Sequence, residues 1–240
     1  LARSGFTGAP AITAEGDDVA DLWGDLGQTW RVMEQYYKPF PVCRWAQPPV
    51  QAVLSLMHGH GLRSTDVARI EIVTFHQSLR LATRTPATTE QAQYSTAFPA
   101  AVAAVRGTIG AEDITGAAFT DPEILRLAEG MQVTESDTYN AAFPARRFAH
   151  AVLVLHDGTR LQSQPTEARG DPEDMVTRDE MRRKFHSTAD PVLGPARAAA
   201  LRSEAEAIGP GHPVPRFLDL ATAPVSGLTR NPGHKWPQAT

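Results

Sequence analysis

The stretch Tyr36-Tyr37-Lys38-Pro39-Phe40-Pro41-Val42-Cys43-Arg44-Trp45-Ala46-Gln47-Pro48-Pro49 decides how this chain is read. Its four prolines fix φ and remove amide donors, which excludes a regular helix or a central strand between residues 39 and 47. The last two suit the first turn of a helix, where the N–H has no intrahelical acceptor in any case. Val50, Val53, Leu54 and Met57 then follow at i, i+3, i+4 and i+7. That spacing predicts an amphipathic helix, ended by Gly59 or Gly61. A stiff, aromatic-rich turn is therefore fastened to a core helix.

Lys38 is the chemically informative residue of that turn. Only Lys38, Lys184 and Lys235 are lysines among 23 basic residues, so arginine is the usual choice of cation here. A lysine beside Tyr36, Tyr37 and Phe40, held by Pro39 and Pro41, is a charged head on a rigid, partly apolar platform. Such a setting can depress its pKa or aim it at a substrate carboxylate. A surface lysine at a turn is the plainer reading, and composition alone favours it. Cys43 can be a nucleophile, but burial as a small hydrophobe is the commoner fate of a lone cysteine.

Outward from the turn, the hydrophobic period changes. Residues 69–75 alternate and are β-branched, predicting a strand. Thr88-Thr89-Glu90-Gln91 fits a capping box opening a helix to about Arg106, with Tyr94, Phe98, Ala101, Val102 and Val105 on its core face. Pro99 should kink that helix or mark a restart. Asp121-Pro122 opens a short helix to Glu129, residues 131–135 and 148–155 read as strands, and Asp157-Gly158 turns into a further strand at 159–164. Thr177-Arg178-Asp179-Glu180 is a second capping box, heading a helix to Phe185, and another helix covers about 195–208. The proline- and glycine-rich stretch 209–240 reads as an irregular tail. The expected layout is α+β: a helical flank over 1–65, an α+β unit over 66–165, and a return to helix over 166–240.

Composition bounds the function. At 240 residues, 42% apolar and 21% charged, the chain is globular and long enough for a substantial core. A net charge of −4 excludes the broad electropositive footprint of a nucleic-acid binder. One cysteine excludes an intrachain disulfide and a multi-cysteine metal site. No apolar run approaches the ~18 residues that cross a bilayer, and no signal peptide opens the chain, so a soluble cytoplasmic protein is expected. Asp17, Asp18, Asp21 and Asp25 suit an acidic helix start better than a metal site. His58-Gly59-His60 has no third ligand nearby, so no metal is expected there. Phosphate-loop, dinucleotide, zinc-helix and nucleophile-elbow motifs are absent. Leu1-Ala2-Arg3-Ser4 before Gly5 reads as the last turn of a helix whose beginning precedes this chain.

Four ordered blocks give the chain a resemblance. Lys38-Pro39-Phe40-Pro41-Val42-Cys43-Arg44 resembles the K-P-Y-P-x-C-R segment of the MmgE/PrpD family. Gly5-Phe6-Thr7-Gly8 with Glu15-Gly16, the helix around Ala92-Gln93-Tyr94-Ser95, and Gly170-Asp171-Pro172 with Lys184-Phe185 resemble three further blocks. The family contains 2-methylcitrate dehydratase, cis-aconitate decarboxylase and iminodisuccinate epimerase. The resemblance implies an all-helical domain made from both ends of the chain, with a small α+β lid inserted between. It also implies homodimers that work without metal or organic cofactor on small di- or tricarboxylic acids, by moving a proton next to a carboxylate.

Residue by residue, the resemblance makes Lys38 the catalytic and carboxylate-binding lysine. Cys43 and Phe98 stand where the decarboxylase has a histidine and a tyrosine, which speaks against decarboxylation of that type. Ser95 keeps its family identity and is expected to face the cleft. Arg44 is either a further anion contact or a surface charge. The family's catalytic aspartate, histidines and second lysine lie before residue 1. The expected function is therefore that of the C-terminal part of a dehydratase-like lyase acting on a polycarboxylate, whose N-terminal helices are either supplied by another chain or belong to a longer form of this one. The alternatives are an epimerase on the same scaffold and a non-catalytic accessory subunit.

Overall fold

The computed structural model describes residues 24–225. The expected helix end at Leu1–Ser4, the Gly5–Gly16 block, Asp17, Asp18, Asp21 and the last part of the tail lie outside the described residues. Around Asp25 the expected helix is instead a turn, closed by the N–H groups of Gln28 and Thr29 donating to the Asp25 carbonyl.

Helix α1 (Gln47–Gly59) begins with Pro48 and Pro49 in its first turn and buries Val50, Val53, Leu54 and Met57 along the predicted stripe. Strand β1 (Val67–Thr74) follows, and then α2 (His76–Leu79). The segment expected as one helix over residues 88–106 is two. Thr88 caps α3 (Thr89–Gln93) by accepting from the Gln91 N–H at 3.2 Å, while the Gln91 amide oxygen accepts from Ala87 rather than from Thr88. The chain breaks at residues 94–96 and restarts as α4 (Ala97–Arg106). Pro99 thereby falls in a first turn, where its missing N–H is not needed. The break also turns Tyr94 outward, 57% exposed, so it is no part of the core face, whereas Phe98, Ala101 and Val102 are fully buried.

Helix α5 (Pro122–Glu129) is capped by the Asp121 carboxylate, which accepts from the N–H groups of Glu123 and Ile124. Strand β2 (Gln132–Glu135), helix α6 (Asp137–Ala142), and strands β3 (Phe148–Leu155), β4 (Arg160–Gln162) and β5 (Thr166–Glu167) complete the sheet-bearing part. The strand order is β2-β1-β3-β4, with β5 on the start of β3. β1 and β2 are parallel and the other pairs antiparallel. Because side chains alternate faces along a strand, the register Ile70↔Leu153 and Ile72↔Ala151 puts those residues on one face. That face is buried in the core with α1 and α4. The opposite face carries Glu71 between Arg69 and Arg160, at 2.9 and 2.7 Å.

The interior runs without a break from Val42 through α1 and α4 to Leu153. The helix before residue 65 and the sheet after it thus share one core. The chain then returns to helix: α7 (Arg178–Leu193), α8 (Pro195–Ala207) and α9 (Pro215–Thr222), α8 packing on α7 and α9 on α8. Two expectations change here. The helix headed by Thr177 runs on past Phe185 to Leu193, and the stretch expected to be irregular holds α9, opened by Pro215 at its first position. Among the described residues no helix is long and apolar enough to cross a membrane.

Phe98 lies at the centre of this interior, 5.8 Å from the Phe119 ring and without exposure. Phe98→Ala should cost ~3–5 kcal/mol of stability, read as a shift in the urea midpoint at unchanged slope; a shift too small to resolve would contradict the core placement.

Candidate active site

One buried amide holds the proline-bracketed turn. Gln47 donates from Nε2 to the carbonyls of Phe40 and Val42, at 2.9 and 3.0 Å, and its Oε1 accepts from the Phe40 N–H at 3.1 Å. Prolines cannot close this turn with their own N–H groups, so a side chain from the first turn of α1 does it. Sequence reasoning missed Gln47. The available signal was a polar residue joining a proline-rich turn to the buried start of a helix.

Arg44 ties the turn to a distant segment. Its guanidinium is buried, donates to the carbonyls of Arg169 and Ala168 at 2.5 and 2.9 Å, and is ion-paired with Asp171. It also lies 4.5 Å over the Tyr36 ring. Arg44 is therefore neither a surface charge nor a group facing the cleft. Beside it the Tyr37 N–H donates to the Gly170 carbonyl at 2.8 Å. Gly170 has φ +97°, and a Cβ there would fall 1.9 Å from the Tyr37 oxygen, so only glycine fits this close crossing.

The next residues open α7 and form the far wall. Thr177 and Glu180 make the predicted capping box: the Glu180 N–H donates to Thr177 Oγ1 at 3.2 Å, and Glu180 Oε2 accepts from the Thr177 N–H at 2.7 Å. Arg169 Nη1 reaches Glu180 Oε1 at 2.7 Å. The Arg169 guanidinium, with the Thr177 bonds, holds the Glu180 carboxyl down at about 2.

Between turn and helix lies a cleft of about 440 Å³, lined by Lys38, Phe40, Arg169, Met181, Lys184 and Phe185 among others. Lys38 is exposed at its edge. The Lys184 ammonium donates to the Lys38 carbonyl oxygen across 146 residues of sequence. Burial, and then the nearby Lys38 charge, push the Lys184 pKa down. The cleft thus combines apolar side chains with two amines and the Arg169–Glu180 ion pair.

Of the other anticipated residues, Cys43 is half-buried and shares with Lys38, Gln93 and Tyr94 a smaller hollow of about 160 Å³. Lys38 and Cys43 are therefore brought together. Ser95 and Phe98 are not: Ser95 is wholly buried, donating to the Thr83 carbonyl at 2.5 Å and accepting from the Phe98 N–H at 3.0 Å. Both serve the break before α4. His58 bonds the Gly107 carbonyl at 2.9 Å.

The structure is thus that of an α+β domain in which a lysine-bearing turn faces a capped helix across a cleft. The chain belongs to the MmgE/PrpD family: the model of the MmgE/PrpD C-terminal domain matches residues 40–208. That family contains dehydratases. No curated protein matches the chain.

Two outcomes test this anatomy. Gly170→Ala should destabilise the fold by at least ~2 kcal/mol, since positive φ and the Tyr37 clash act together; an unchanged thermal midpoint would contradict the crossing. The second outcome concerns pH. Glu180 has a folded pKa held below its ordinary 4.5, so its contribution is present above that value and lost as pH falls toward about 2. Unfolding free energy followed from pH 5 downward should fall less steeply in Glu180→Gln than in the parent, while Glu206, also held at about 2 by Arg182, keeps part of the slope. Identical slopes would remove Glu180 from the account.

Proposed function

We propose that this chain is the C-terminal part of a cofactor-free lyase that dehydrates or hydrates a small di- or tricarboxylic acid, with Lys38 as the group that binds a carboxylate and stabilises developing charge. In this reading residues 66–165 act as the lid on a helical domain that includes 1–65 and 166–240. The observation that carries it is Lys38 on a rigid turn at a cleft whose other wall bears Lys184 and Arg169.

Removing a proton next to a carboxylate leaves negative charge on that carboxylate's oxygens in the transition state. A cation already in place there lowers the barrier without reorganising. Gln47, Arg44 and Pro39 keep Lys38 from drifting, and orientation of this kind is worth much of a rate enhancement. The apolar floor of Phe40, Met181 and Phe185 lowers the local dielectric and strengthens the attraction. An acid/base pair is also needed to move the α-proton and release water. This reading takes that pair from the helical segment that precedes residue 1 in the family, on the same polypeptide or on a partner within a homodimer. Glu180 is unsuited to the base role, because Arg169 and Thr177 already occupy its oxygens.

In the complete protein, Lys38→Ala should lower turnover of the polycarboxylate substrate by ~10²-fold or more, with an unchanged melting temperature. The assay follows the absorbance of a new C=C bond together with α-proton exchange in D₂O. Exchange without absorbance would mark an epimerase, and wild-type turnover in Lys38→Ala would remove Lys38 from the chemistry.

A further inference from the structure

Lys184 sits on α7 one turn after Glu180, and its ammonium turns back over the Lys38 turn to donate to the Lys38 carbonyl. That carbonyl lies at a sensitive place. On one side, the Tyr37 N–H is held by Gly170; on the other, Pro39 has a fixed φ and no N–H to give. With both neighbours fixed, the remaining freedom of Lys38 is rotation of its own peptide plane, and the Lys184 bond is what stops it. Among the described residues no carboxylate pairs with Lys38 or Lys184. Two cations are therefore kept close together with no carboxylate paired to either among the described residues, an arrangement that costs stability and that an incoming anion would relieve.

The neighbouring charges are otherwise spent. Glu180 is held by Arg169 and Thr177, Arg44 is buried against residues 168–171, and Arg182 pairs with Glu206 on another side of α7. Lys184 alone on this wall bonds to the turn through a backbone atom of the lysine that faces the cleft.

We propose that Lys184 is a positioning residue: by bonding the Lys38 carbonyl it sets the direction in which the Lys38 ammonium enters the cleft, and so the fit of a carboxylate there. This rests on reading Lys38 as the carboxylate-binding group. Lys184 acts through Lys38, so the two residues form one functional unit with non-additive effects.

The test is a double-mutant cycle on the complete protein, with citrate as the probe and titration calorimetry as the readout. Lys184→Met keeps the stem and removes the donor. It should weaken citrate binding ~10-fold or more, the scale on which small displacements of a binding group are felt. Lys184→Arg, which keeps a cationic donor, should stay within about threefold of the parent. The double variant Lys38→Met/Lys184→Met should be no weaker than Lys38→Met by more than about twofold. Lys184 is no part of the hydrophobic core, so folding should survive, checked by an unchanged melting temperature; Lys184→Gln is a second neutral variant. Parent-like binding in Lys184→Met, or additive losses in the double variant, would overturn the positioning role while leaving Lys38 in place. Parent-like binding in Lys38→Met, or no citrate binding to the unmodified protein, would overturn the reading of the cleft itself.

Discussion

A buried guanidinium holds the two halves of this site together. Arg44 sits at the end of a turn that cannot hydrogen-bond itself, and it is paired with Asp171 and with the carbonyls of Ala168 and Arg169. Placing a charge in an interior is costly, and removing one partner of such a pair typically costs ~3–5 kcal/mol because the other is left uncompensated. The sequence separation here exceeds a hundred residues, so this contact decides that the turn before α1 and the segment before α7 lie side by side. Everything the cleft contains follows from that adjacency. The Tyr37–Gly170 crossing and the Lys184–Lys38 bond join the same two segments that Arg44 ties together.

The same arrangement separates rigid from responsive parts. Gln47 and Arg44 are buried and bonded to backbone carbonyls and, for Arg44, to Asp171, and they carry geometry rather than chemistry. Lys38 and Lys184 lie at the cleft without an acidic partner among the described residues, so their charges are available to an anion. Binding energy for such an anion comes from two sources: attraction to cations already oriented, and the lowered dielectric of an apolar floor. A ligand carboxylate suits the Lys38 ammonium at the cleft edge, with the Lys184 charge on the opposite wall and the Arg169 guanidinium already paired with Glu180.

Features written in local period were legible in the sequence. The Val50–Met57 stripe, the alternation of residues 69–75, Asp121 before Pro122 and the Thr177–Glu180 box each became the element they predict, because each depends on neighbours within one or two turns. The misread features depend on distant partners. The break at residues 94–96 turns on Ser95 reaching the Thr83 carbonyl, which moves Tyr94 to the surface while Phe98 stays on the core face. Arg44 reads as an anion contact or a surface charge until residues 168–171 are beside it. Helix α9 was hidden by the prolines and glycines around it, although Pro215 opens it in the ordinary way. For the site, the Lys38 turn was legible as a rigid platform and through its family resemblance, whereas its link to Lys184 spans 146 residues and carries no local signal.

The most direct measurement is the rate at which an amine-acylating reagent labels Lys38 and Lys184, read by peptide mass spectrometry with and without citrate. If the two lysines share one anion-binding cleft, citrate slows labelling at both positions together, with the same concentration dependence. Labelling of Lys38 and Lys184 that is unaffected by citrate, or protected at only one of them, would contradict a shared site.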